Sequence, residues 1–180
     1  MTFPKSYADT VARARVPAGF LLVAAFAWFS EPSWASLAWG LPVSAVGLWL
    51  RGWAAGHLEK NRTLARTGPY AWVRNPLYVG TLTVAAGLVI ASRQWPLAVL
   101  FAAAFLLVYL PVIQNEEQHL RKLFPEFAEF ARRVPALWPR RDPEAPKGRF
   151  RWSLYRHNRE YEALLGFLAG AALLMWKAAA

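Results

Sequence analysis

The run WPLAVLFAAAFLLVYLPVI, from Trp95 to Ile113, decides the fold class. No charged residue interrupts it, and a hydrocarbon core about 30 Å thick takes roughly 17–25 apolar residues as a helix. A soluble domain breaks its apolar residues into stripes or alternations; this run does neither. Four further apolar runs accompany it: Val16 to Ser30, Trp34 to Trp53, Leu77 to Ser92 and Ala163 to Trp176. Pro42 and Arg51 fall inside the second, Arg93 closes the third, and Glu31-Pro32 makes a turn between the first two. The last run is short enough to be a spanning, buried or interfacial helix. The expectation is an all-α integral membrane protein, a single domain over residues 1–180, with about five short transmembrane helices.

Charge sets the orientation. The chain carries +10 at neutral pH, and eighteen of its 21 basic residues fall before the first run, between the second and third, or between Arg121 and Arg159. These segments share one side of a five-helix arrangement, so the positive-inside rule predicts a cytoplasmic amino terminus, in a bacterial inner membrane. Lys and Arg lying between apolar runs suit anionic lipid head groups better than nucleic acid, which needs them on one soluble face. No cleavage site follows the first run, which reads as a retained helix. Tryptophans at run ends (Trp34, Trp53, Trp95, Trp176) fit the head-group layer.

The 56% apolar content exceeds the roughly 45–50% of soluble chains. With no cysteine, disulfides, thiolate metal sites and thiol nucleophiles are excluded. The three histidines, His57, His119 and His157, are too scattered to suggest a metal site. Between Glu116 and Arg133, Leu120, Leu123, Phe124, Phe127 and Phe130 recur at helical spacing, interrupted by Pro125. A cytosolic amphipathic helix lying in the membrane interface is expected there.

Two polar segments carry chemistry. The first runs from Arg66 to Gly80 (RTGPYAWVRNPLYVG) and the second is Asn115-Glu116-Glu117-Gln118-His119-Leu120. A Gly-Pro turn opens the first, which ends where an apolar run begins, so Tyr70, Arg74 and Asn75 hang at the mouth of a span. The acidic doublet begins where the next span leaves the bilayer. Sequential spans tend to be spatial neighbours, so the two mouths are expected to meet. A guanidinium, an amide and phenols facing two carboxylates suit a zwitterionic amino-acid moiety, and a sulfonium favours aromatic faces and negative potential.

The pattern GPY-xxx-RNP-x-Y-x-G followed by EE-xx-L, then by Phe124-Pro125-Glu126-Phe127 and Val134-Pro135-Ala136-Leu137-Trp138-Pro139, resembles the isoprenylcysteine carboxyl methyltransferase and phospholipid N-methyltransferase superfamily. The resemblance covers about residues 34–139 and leaves a basic tail and last helix, 140–180, outside. It implies an S-adenosylmethionine-dependent methyltransferase. Carried over by position, the cofactor-binding residues are Arg62, Thr63, Leu64, Ala65, Tyr70, Asn75, Pro76, Leu77, Tyr78 and Glu116, with Glu117 beside it. Asn75 stands where many members have His. Val112 stands where the eukaryotic prenylcysteine enzymes carry an Arg for the substrate carboxylate, which counts against a prenylcysteine substrate.

What the resemblance implies is methyl transfer to a lipophilic acceptor at the cytoplasmic face, with the cofactor entering from the cytosol. Such an enzyme mainly has to orient its reactants and exclude water, and orientation alone is worth roughly 7–11 kcal/mol. No catalytic residue is fixed by the sequence, although an amine acceptor needs a base, for which Glu117 and His57 are candidates. The competing reading is a small membrane carrier or assembly factor on the same scaffold, which charges deep in spans would favour; Arg51 alone approaches that.

Overall fold

A computed structural model describes residues 3–180, apart from the side chains at positions 14–16, so Arg15 of the charge count and Val16 of the first run have side chains outside the described residues. The described chain is helical, without a β-strand: α1 (Lys5–Phe29), α2 (Trp34–Ala55), a 3-10 turn (Gly68–Ala71), α3 (Pro76–Ser92), α4 (Trp95–Ala104), a π-helical stretch (Phe105–Tyr109), α5 (Leu110–Leu123), α6 (Phe127–Arg133), α7 (Trp152–His157) and α8 (Tyr161–Ala179).

Small residues bring α2 and α3 together. Gly40, Ser44 and Gly47 face Gly87, Val84 and Gly80 in an antiparallel seam. A Cβ on Gly47 would stand 2.6 Å from the Gly80 carbonyl oxygen, so only glycine permits the approach. Across the seam, Ser44 Oγ donates to the Val84 carbonyl at 2.9 Å and Ser36 Oγ to that of Ala91 at 2.8 Å. Helices packing in hydrocarbon use this combination, because lipid supplies no hydrophobic drive between them.

The elements α4, the π stretch and α5 form one rod, Trp95–Leu123, of 29 residues. Pro111 gives no N–H to the carbonyl four residues back, that of Leu107, and this carbonyl instead accepts the Tyr7 hydroxyl of α1 at 2.8 Å. The rod also fastens the start of α1: Gln114 exchanges hydrogen bonds with the Phe3 backbone, and Asn115 Nδ2 donates to Asp9 Oδ1 at 2.9 Å.

At the other end, the Glu31 N–H donates to the Ser92 carbonyl at 3.0 Å. Lys177 Nζ reaches the Ala27 and Trp28 carbonyls at the end of α1. A core cluster of Phe26, Leu37, Ala91, Leu97 and Leu174 packs at this end. Five long elements therefore run between two ends, with the polar segments gathered at one. Their outward faces are apolar: Phe20, Trp28, Trp39 and Trp95 are each more than 70% exposed, which a soluble monomer rarely displays over large contiguous patches.

Two helices, Trp95–Leu123 and Tyr161–Ala179, are long and apolar enough to cross a membrane, or three if the two arms of α1, bent by 57° near Pro17, count as one span. The Pro76–Ser92 helix is apolar but short. Two expectations change. The run from Trp95 does not stop at Ile113 but continues as helix through the acidic doublet to Leu123. The expected interfacial helix is a break after Leu123 followed by seven-residue α6, and Phe124, Phe127 and Phe130 are buried with Val134 against Leu64 and Leu120 rather than turned toward lipid. The break falls at Phe124, held extended (φ −125°) because the following Pro125 disfavours a helical residue before it, while Arg74 and Arg121 lie over Phe127, and Arg66 over Phe130.

Candidate functional site

The first polar segment begins at a turn that needs glycine. Gly68 has φ +59°, and a Cβ there would lie 2.6 Å from the His57 ring; a left-handed backbone against a flat ring leaves room for nothing larger. Behind it, His57 Nδ1 and Thr67 Oγ1 are 2.8 Å apart. Burial, then the nearby Arg151 charge, lowers the His57 pKa from 6.5. The turn presses Tyr70 into the interior at 6% exposure. Burial and then the charges of Glu160 and Glu116 push its phenol well above 10, while Arg51 opposes them. The phenol thus keeps its proton at neutral pH.

After the turn, Arg74 and Asn75 pair through their backbones with the Pro135 and Ala136 carbonyls at 2.9 and 3.1 Å. Pro76 starts α3, where its missing N–H costs nothing. The acidic doublet on α5 meets this junction. Arg74 Nε and Nη2 donate to the two carboxylate oxygens of Glu117, each at 3.0 Å, and Asn75 Nδ2 adds a third bond at 3.1 Å. Arg74 Nη1 also serves the Ala131 and Val134 carbonyls at 2.7 and 2.9 Å.

A cavity of about 640 Å³ opens beside this clamp, within the 300–1,000 Å³ usual for small-molecule sites. Thr63, Leu64 and Ala65 line one side, and Tyr70, Asn75, Pro76, Leu77 and Tyr78 another; Glu116 and Glu117 close it from α5. Of the residues carried over by resemblance, Arg62 does not line it and is exposed. Arg74 and Glu117 pair with each other while both line the cavity. Both members of the acidic doublet line the cavity.

The sequence missed several lining residues. Arg51, from the end of α2, donates through Nε to Glu160 at 2.5 Å and through Nη1 to Thr81 Oγ1 and the Leu77 carbonyl. Its charge inside an apolar run was the available signal. Tyr109 enters from the π stretch, its ring edge-on to Tyr78 with centroids 6.2 Å apart; a π turn re-aims a side chain in this way, and Pro111 nearby was the cue. Asn158 lines the cavity too, and its amide holds the Ala55 and Leu58 carbonyls at 3.0 and 2.9 Å. No sequence signal pointed to this return of the basic tail. His57 lies outside the lining. Among the described residues, no three His, Cys, Asp or Glu side chains are grouped to hold a metal ion.

Known proteins resemble part of the chain. It is 42% identical over 102 residues to the cobalt-zinc-cadmium resistance protein CzcN of Cupriavidus metallidurans, a stretch that is 56% of this chain and 46% of that protein. It is 40% identical over 102 residues to the nickel-cobalt-cadmium resistance protein NccN of Alcaligenes xylosoxydans xylosoxydans, covering 56% and 47% respectively. The chain thus matches about half the length of these curated relatives. No solved structure matches it. The family model for phospholipid methyltransferase matches residues 35–126, a span that holds the glycine seam, the Gly-Pro-Tyr turn and the acidic doublet, and the chain belongs to that family.

Proposed function

We propose that the chain is an S-adenosylmethionine-dependent methyltransferase acting on a lipophilic acceptor at the cytoplasmic face of the membrane. The observation that carries this reading is convergence: residues 63–65, the Tyr70 turn, the Asn75–Tyr78 junction and Glu116 surround one cavity though the first and last lie more than fifty residues apart in sequence. The donor set fits the cofactor. Glu116 suits an ammonium or ribose hydroxyls, the backbone of 63–65 offers hydrogen bonds to a base, and Tyr78 with Tyr109 presents aromatic faces to a cation.

When bound, the cofactor supplies an electrophilic methyl group on a sulfonium. The chain's own work is to hold, orient and exclude water. Buried Tyr70 keeps its proton at neutral pH and can donate a hydrogen bond. Glu117, with three bonds from Arg74 and Asn75, is a positioning group rather than a base. Thr81 and Arg51 line the cavity on its α2–α3 side, where an acceptor arriving from the bilayer would meet them.

The five long elements running end to end support five passes, with the basic segments and the cavity on the cytoplasmic side and the amino terminus beside them, in a bacterial inner membrane. The relatives' printed names speak of metal resistance, which favours the alternative of a non-enzymatic membrane factor enough to test. Membrane lipid extracts incubated with protein and methyl-labelled cofactor decide between them. A labelled lipophilic product, found by mass spectrometry and lost in Glu116→Ala, is expected; no product from any extract overturns the enzymatic reading.

A further inference from the structure

A second cavity, about 560 Å³, lies between α2 and the carboxy-terminal tail. Its walls are apolar and aromatic: Trp49 and Trp53 from α2, Phe150 and Trp152 from the tail, Leu164 and Phe167 from α8. The rings are in contact, with Trp49–Trp53 centroids 5.2 Å apart and Phe150–Trp152 5.0 Å apart. Trp49 and Trp152 are each about two-thirds exposed, so the groove is continuous with the apolar outer surface of the helices. Half of its lining comes from residues 150–167, beyond the span that matches the family.

The inner end of this groove is polar. Glu160 lines it, while Arg51 lines the first cavity, and the two side chains are joined at 2.5 Å. One ion pair, with Glu160 only 8% exposed, is therefore the partition between a polar cavity and an aromatic groove. A polar head can hydrogen-bond to this charge pair, whereas hydrocarbon laid against it offers the remaining donors and acceptors nothing.

We infer that the groove holds the single hydrocarbon chain of a membrane amphiphile, its small polar head lying at the Arg51–Glu160 pair. It rests on the methyltransferase reading only in making this amphiphile the acceptor. The volume of about 560 Å³ suits one hydrocarbon chain within the groove. Entry from the bilayer follows from the exposed tryptophans, whose rings are at home where hydrocarbon meets head groups. The tail beyond the family region would then select the acceptor, while the family region holds the cofactor.

A long-chain fatty amine carrying a terminal diazirine tests this on the full chain in nanodiscs, with labelled peptides mapped by mass spectrometry. The expected label concentrates in residues 45–53 and 150–167 and falls at least fivefold in Gly52→Trp, which fills the groove facing Tyr155, whose ring a Cβ at Gly52 would already touch at 3.4 Å. Leu164→Trp blocks from the opposite wall should Gly52→Trp fail to fold. Label spread evenly over α1 and α8, or unchanged in a folded blocking variant, overturns the inference. Titration with S-adenosylhomocysteine in the same samples keeps the two readings apart: groove labelling without cofactor binding supports the lipid site and sinks the methyltransferase.

Discussion

Arg74 and Glu117 form a two-pronged ion pair, 43 residues apart in sequence, with both prongs at 3.0 Å. The pair is mostly buried, at 13% and 16% exposure, and Arg74 also binds two carbonyls of the 131–134 segment. It joins the start of α3 to α5 and to the chain after α6. Removing one partner of such a pair strands the other, at about 3–5 kcal/mol. Arg74→Ala and Glu117→Ala should each lower the melting temperature sharply in detergent. A wild-type melting temperature in either variant would contradict a structural role for the clamp.

The α2–α3 seam predicts that glycine substitutions divide by position. Gly47→Ala forces a Cβ to 2.6 Å from a carbonyl oxygen, and overpacking of this kind costs about 1–3 kcal/mol. Gly166→Ala on α8 meets nothing within 4 Å and should stabilise its helix by about 0.5–1 kcal/mol. Thermal unfolding of the two variants checks the contrast.

Tyr7→Phe removes the hydroxyl that serves the Leu107 carbonyl. The expected loss is about 0.5–1.5 kcal/mol, with faster amide exchange confined to residues 105–111 and the facing turn of α1. Unchanged exchange there would mean that the π stretch does not depend on α1.

Stability should narrow on both sides of neutral pH. His57 is held below its ordinary 6.5 by burial and Arg151, so its neutral ring contributes above about pH 6.5, and that contribution fades as pH falls through the folded value. Tyr70 is raised above its ordinary 10 by burial and by Glu160 and Glu116, so its contribution is whole below pH 10 and is lost as pH climbs beyond it. Melting curves from pH 5 to 11 should flatten on the acid side in His57→Asn and on the alkaline side in Tyr70→Phe.

Much of the helix layout was legible because apolar runs end at recognisable residues. Trp34 and Pro76 begin α2 and α3, and Arg93, with φ 57°, ends α3 where a charge already closed the run. Length was harder. The rod from Trp95 continues to Leu123, and Gln114 and Asn115, polar in sequence, are bonded there to Phe3, just before α1, and to Asp9 within it. Likewise α8 reaches Ala179 with Lys177 in its last turn because the amine turns back to carbonyls of α1.

In the site, the Gly-Pro-Tyr turn and acidic doublet were visible as motifs, but their internal pairing was not. That Arg74 consumes Glu117 depends on where the 131–136 carbonyls lie, a matter of tertiary packing. The contribution of Asn158 and Glu160 was hidden for the same reason: the tail returns because the Arg151 N–H donates to the Gly56 carbonyl and its side chain pairs with Glu59.

The central claim is that the cavity beside the Arg74–Glu117 clamp takes the cofactor. Calorimetric titration of the purified full chain with S-adenosylhomocysteine tests it most directly. The account predicts one site per chain, weakened at least tenfold in Glu116→Ala. No heat of binding in the wild-type protein, or full affinity retained in Glu116→Ala, would contradict it.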